Sequence, residues 1–143
     1  MIDMKLPVLL QQSLNQAGLE GDWTLTPAAG GDTALSGVID NGASRYFVKQ
    51  HRNQHLLEAE SLGLQALSER LRVPRVIHYY GASAGGVLIL EYLSIEPLSG
   101  NRDWMAAGAA LARLHRIQGR AGYGSHPNNF IGASLQSDAG HSD

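Results

Sequence analysis

The sequence predicts an α+β fold: five antiparallel strands with one helix inserted after the third, and a further helix at either side. Three observations predict it. Five runs rich in strand formers are joined by glycine- or asparagine-bearing turns, the usual marks of hairpins. The clearest helical period in the chain falls between the third and fourth runs. No regular strand–helix–strand alternation follows, so a parallel sheet is not indicated. A chain of 143 residues suits one domain, or one lobe and part of another.

Each element has its own local reason. Pro7 to Ala17 sets Leu9, Leu10, Leu14 and Ala17 at helical spacing, with Pro7 at the opening turn and Gly18 just past the end. Asp22 to Pro27 alternates and reads as the first strand. The Gly30-Gly31 pair makes a tight turn, and Ala34 to Ile39 returns as the second strand. Asp40-Asn41-Gly42 is a hairpin signal leading into Ser44 to Gln50, the third. Gln54 to Leu71 carries an apolar stripe of Leu56, Leu57, Leu64, Leu67 and Leu71, and Pro74 follows as a terminator. Arg75 to Gly81 and Val87 to Leu93 are the fourth and fifth strands, turned at Ala84-Gly85-Gly86. Beyond a linker at 97–101, Asp103 can cap a helix over Trp104 to Gln118, with Trp104, Gly108, Leu111 and His115 along its buried face. The polar tail at 137–143 is expected to be unstructured.

Composition narrows the function. A net charge of −2 offers no basic stripe to displace counterions, which argues against a nucleic-acid partner. No stretch reaches membrane-spanning length, and no basic segment leads a long apolar run at the start, so no membrane partner is expected. With zero cysteines, disulfides and thiol chemistry are excluded, and a reducing, cytoplasmic setting is the expectation. His51 and His55 have a metal-like spacing without a third ligand nearby.

Two charged residues sit where charges are costly. Glu60 lies on the leucine stripe of its helix, so its carboxylate should point inward and need a cation. Lys49 shares a strand face with Phe47, which is unusual unless its ammonium is used. Singly, each also fits a solubilising edge lysine or a helix-surface acid. Val87 to Leu93 suits a buried strand emerging into a short connector, and a plain core strand ending at the surface gives the same pattern. The glycines of Ala29 to Thr33 can let backbone N–H groups approach an anion, and a simple hairpin again gives the same residues.

Taken in order, GGDT, YFVKQ, LLEAESLGLQAL, VPRVI, VLILEYL, GAALARLH and NNFIGASLQ resemble the fructosamine/ketosamine-3-kinase family, over about Gly30 to Gln136. That family belongs to the aminoglycoside-phosphotransferase-like branch of the protein-kinase-like fold. The resemblance implies a kinase-like nucleotide-binding N-lobe over residues 1–96, with 97–143 a linker and the start of an incomplete C-lobe. It implies ATP as cofactor and phosphoryl transfer to a sugar hydroxyl of a free or protein-bound ketosamine, fructosamine or ribulosamine. Carried over by position, Gly30, Gly31 and Thr33 would border the phosphates, and Lys49 would contact them with Glu60 orienting it. The carbonyl of Glu91 and the amide of Leu93 would bracket adenine, with Leu90 lining the pocket behind.

The family places its His-Gly-Asp catalytic loop and the Asn and Asp that hold Mg²⁺ after this point, and this sequence contains none of them. The expectation is therefore an inactive N-terminal fragment with no catalytic residue and no metal ligand of its own. Its uncovered lobe face would invite self-association. The alternative is a non-catalytic nucleotide- or protein-binding module from a short paralogue; a plain α+β domain without a ligand is the other rival.

Overall fold

The structure, a computed structural model, describes residues 5–28, 34–94, 98–116, 129–131 and 134–136. Its centre is a five-stranded antiparallel sheet built from β1 (Thr24–Pro27), β2 (Ala34–Asp40), β3 (Arg45–His51), β4 (Val76–Ala82) and β5 (Gly85–Glu91), in the order β1-β2-β3-β5-β4. The predicted strands all form, with no end shifted by more than two residues. Two helices cover its faces: α1 (Val8–Gln16) on one side, and α2 (Gln54–Ser68), inserted between β3 and β4, on the other.

Alternation along the strands separates two apolar clusters. Ile39, Val48, Val87 and Ile89 face α1 and pack with Leu10, Leu14, Trp23 and Leu25. Leu88 and Leu90 face α2 and pack with Leu57. Covered on both sides, β5 is buried along all but its last residue, which explains its unbroken aliphatic run. A bulge near Ile77 interrupts the alternation of β4, and His78 Nε2 meets Gln16 Oε1 of α1 at 2.9 Å.

The turns show their chemistry directly. Between β2 and β3, Asp40 Oδ1 accepts from the Gly42 amide at 2.7 Å and Asn41 Oδ1 from the Ser44 amide at 2.6 Å. Gly85 opens β5 at φ +143, and a Cβ there would stand 2.5 Å from the His51 carbonyl oxygen, so only glycine lets the two strands close at that end. The Asn53 side chain caps α2 by accepting from the His55 amide at 3.1 Å.

Helix α2 stops at Ser68 rather than Leu71, because the amides of both Arg70 and Leu71 take the Leu67 carbonyl and tighten the last turn. Of the predicted stripe only Leu57 is fully buried; Leu56, Leu64 and Leu71 are half-buried and Leu67 is exposed. Helix α3 (Gly100–His115) starts earlier than predicted, and Asp103 accepts from the Ser99 amide at 3.0 Å from inside its first turn. Its expected buried face is open: Trp104 is 62% and Leu111 51% exposed, since none of the other described elements packs closely on this helix. The side chain of His115 lies outside the described residues, as do the boundary expected at 96/97 and the tail at 137–143. Two short strands not predicted, β6 (Asn129–Ile131) and β7 (Ser134–Gln136), pair antiparallel within the NNFIGASLQ segment. Among the described residues no helix is long and apolar enough to cross a membrane.

Candidate functional site

On the α2 side of the sheet, a cleft of about 330 Å³ opens between the strands, the helix and the segment that leaves β5. Antiparallel register brings its floor together: Val38 of β2 and Leu90 of β5 flank Phe47 of β3, each on the face away from α1. Leu64 and Pro74 close one flank, and Glu91, Tyr92 and Leu93 form the rim. Such a slot, apolar with a few polar groups, suits a flat organic ring.

The polar group at its inner end is an ion pair. Lys49 projects from β3 on the same face as Phe47, and Glu60 descends from the second turn of α2 to meet it, Nζ to Oε1 at 2.5 Å. Both side chains keep about a third of their surface exposed (34% and 29%), so they are shielded by the cleft yet reachable from it. Glu60 therefore lines a cleft rather than entering the core, which relieves the cost of a fully buried carboxylate. Tyr79 anchors the start of the same helix, its hydroxyl donating to the Gln54 carbonyl at 3.0 Å. Burial raises the Tyr79 phenol above its ordinary range, with the Glu58 charge adding to it.

The rim is held from both sides. Glu91 Oε1 accepts from Arg72 Nη1 at 2.9 Å and from the Arg75 amide at 3.3 Å, and these bonds lower its carboxyl below the usual carboxylate range. The Glu91 amide in turn donates to the Arg75 carbonyl at 2.8 Å. Tyr92 lies beneath the Arg45 guanidinium, 5.3 Å from ring centroid, and Arg45 is paired with Asp40 at 2.9 Å. No hydrogen bond joins the Leu93 amide to another described residue.

Four of the residues singled out from the sequence, Lys49, Glu60, Glu91 and Leu93, thus border one cleft. Gly30, Gly31 and Thr33 lie outside the described residues. Sequence reasoning did not find Val38, Leu64, Pro74 or Tyr92 as lining; the alternation of β2 carried the signal for Val38, and Leu64 shares its helix face with Glu60. Among the described residues no three His, Asp or Glu side chains gather as a metal site. The two carboxylates lining the cleft are each engaged by a basic residue, so the described residues do not fit a magnesium ion. The run Gly81-Ala82-Ser83-Ala84-Gly85 has the spacing of a nucleophile elbow, yet Ser83 sits in the hairpin turn between β4 and β5 instead of a strand-to-helix turn.

A slot bordered by a strand lysine and a helix glutamate, closed by the connector after a buried strand, is the arrangement expected of kinase-like lobes. The family model for fructosamine kinase matches residues 9–143. The chain belongs to the fructosamine kinase family. Its relatives include the probable ketoamine kinase of Vibrio cholerae, 30% identical over 142 residues, covering 94% of this chain and 49% of that protein. The probable ketoamine kinase of Thermus thermophilus is 44% identical over 106 residues, covering 72% of this chain and 36% of the relative. A crystal structure assigned as a fructosamine-3-kinase from Haemophilus somnus superposes with a TM-score of 0.77 at 21% identity, over 92% of this chain and 46% of that one. At that identity the superposition speaks for the fold, and it agrees with the α+β kinase-like architecture. This fructosamine kinase family chain spans at most about half the length of the curated relatives it matches.

Proposed function

We propose that this chain is the nucleotide-gripping lobe of an ATP-dependent kinase acting on a sugar hydroxyl of a ketosamine, such as a fructosamine or ribulosamine. The observation that carries the reading is the Lys49–Glu60 contact at the inner end of the apolar cleft. Adenine would lie between Val38, Phe47 and Leu90, with its edge toward Glu91 and Leu93. Lys49, held by Glu60, would meet the phosphates, and Gly30, Gly31 and Thr33 would border them. Membership of the fructosamine kinase family supports the substrate class. A cytoplasmic setting suits this reading.

Phosphoryl transfer needs a group to orient the acceptor hydroxyl and a metal ion to neutralise charge on the phosphates. The engaged state of Glu60 and Glu91 leaves neither task to the cleft carboxylates described. For this chain alone the expectation is therefore weak nucleotide binding without turnover. That same observation favours a second reading, a nucleotide-binding module without transfer. Titration with ATP by calorimetry tests the first step: we expect a Kd of about 0.1–1 mM, equivalent to ~4–5.5 kcal/mol, and no saturation for Lys49→Ala. Absence of ATP binding, or binding untouched by Lys49→Ala, would overturn the proposal.

A further inference from the structure

We infer that Arg72 is a positioning residue that sets the main chain of the base-reading connector, an inference resting on the nucleotide reading above. Regular strand pairing of β5 ends at Glu91, so Tyr92 and Leu93 reach the cleft rim without a ladder to hold them. What holds them is side-chain chemistry just upstream. The Glu91 amide donates to the Arg75 carbonyl, while the Arg75 amide donates back to the Glu91 carboxylate, closing a ring between the two residues. Arg72 completes it by donating to the same Oε1 at 2.9 Å. On the opposite flank the Asp40–Arg45 pair caps the Tyr92 ring. The connector leaves the sheet between two guanidinium groups, one fixing where it starts and the other where its first side chain lies.

The Arg72 contact by itself is poorly suited to stabilising the fold. The Arg72 side chain is 70% exposed, and ion pairs so open to water add little to stability. It is well suited to orientation, because the segment at 72–75 is tied at one end to α2 and at the other to β4. The Leu93 amide, without a partner among the described residues, is the group whose direction matters for a ligand with a hydrogen-bonding edge. A purine base is such a ligand; a bare polyphosphate is not.

The experiment uses the whole chain as wild type, Arg72→Ala and Arg72→Lys, with amide hydrogen exchange and binding of ATP and inorganic tripolyphosphate as readouts. Arg72→Ala should speed exchange of the Glu91 amide, which donates to the Arg75 carbonyl, about tenfold without changing exchange in β3, since it opens a local segment only. It should weaken ATP about fivefold through lost preorganisation, leave tripolyphosphate unchanged, and barely move the melting temperature. Arg72→Lys, which keeps the charge without the guanidinium fork, should recover part of the loss. Unchanged exchange of the Glu91 amide, or equal loss for ATP and tripolyphosphate, would overturn the role of Arg72 alone. Failure of the wild-type chain to bind ATP would overturn the nucleotide reading and this purpose with it.

Discussion

Replacing Lys49 with Met and Glu60 with Gln, singly and together, measures what the central ion pair contributes. At 2.5 Å and an effective dielectric of 20, the raw attraction between unit charges is about 6–7 kcal/mol. Much of that is offset, because both groups give up part of their hydration and Lys49 loses side-chain freedom. With about a third of each side chain still exposed, the pair falls between an exposed salt bridge, worth ~0.2–1 kcal/mol, and a shielded charged hydrogen bond, worth ~1.5–3 kcal/mol. A coupling energy of about 1–2 kcal/mol is therefore expected. Lys49→Met should be the costlier single change, since it leaves the Glu60 carboxylate facing Phe47, Leu64 and Leu90 without a cation. Glu60→Gln keeps an acceptor near Lys49 and should cost less. Urea unfolding followed by Trp23 fluorescence provides the assay, because Trp23 is buried against the α1-side core with the tilted Tyr46 ring 5.7 Å away between centroids. The exposed Trp104 adds a background common to all four proteins. Coupling within about 0.3 kcal/mol of zero, the ordinary additivity error, would refute the argument that the cleft shields this pair.

Two further outcomes follow from the same structure. The Asp40 carboxyl is lowered by the Gly42 amide and by Arg45, and that of Glu91 by Arg72 and the Arg75 amide, so both ionise more readily folded than unfolded. Their contribution is present above the ordinary carboxylate value near ~4 and is lost as pH falls through their lowered folded values. A plot of urea midpoint against pH should decline on that acid side and decline less in Glu91→Gln; identical slopes would count against the rim contacts. Self-association through the open face of α3 and the segment leading into it is the other proposal, since Leu98 before the helix and Trp104, Met105 and Leu111 on it all stand exposed. Sedimentation should show concentration-dependent growth that Trp104→Ser with Met105→Ser suppresses, whereas a monomer that binds no hydrophobic dye would refute it.

The parts of this fold that could be read from the sequence are those governed by neighbours along the chain. Two-residue alternation put Phe47 and Lys49 on one face of β3, and the leucine spacing of α2 put Glu60 on the face that meets them. Hairpin chemistry at Asp40 to Gly42 likewise acts within a few residues. What could not be read depends on partners distant in sequence. Arg72 and Glu91 are 19 residues apart, and neither carries a local pattern announcing the other. Pro74 looked like a helix terminator and also proved to be a wall of the cleft. The face of α3 follows the same logic: its helical period was legible, but burial requires a second surface, and among the described elements none supplies it.

The division of the sheet into two faces has a consequence for how such a lobe can change. In β3, Val48 belongs to the folding core under α1, while its neighbours Phe47 and Lys49 face the cleft. Substitutions at the cleft-facing positions can explore new ligands while the scaffold beneath keeps its packing, so recognition and foldability can drift almost independently. The separation depends on register. A slip of one residue would bring Val48 to the ligand side and press Lys49 against the α1 core, exchanging the two roles at once. Variation by substitution is thus tolerated in this strand far more readily than variation by insertion or deletion.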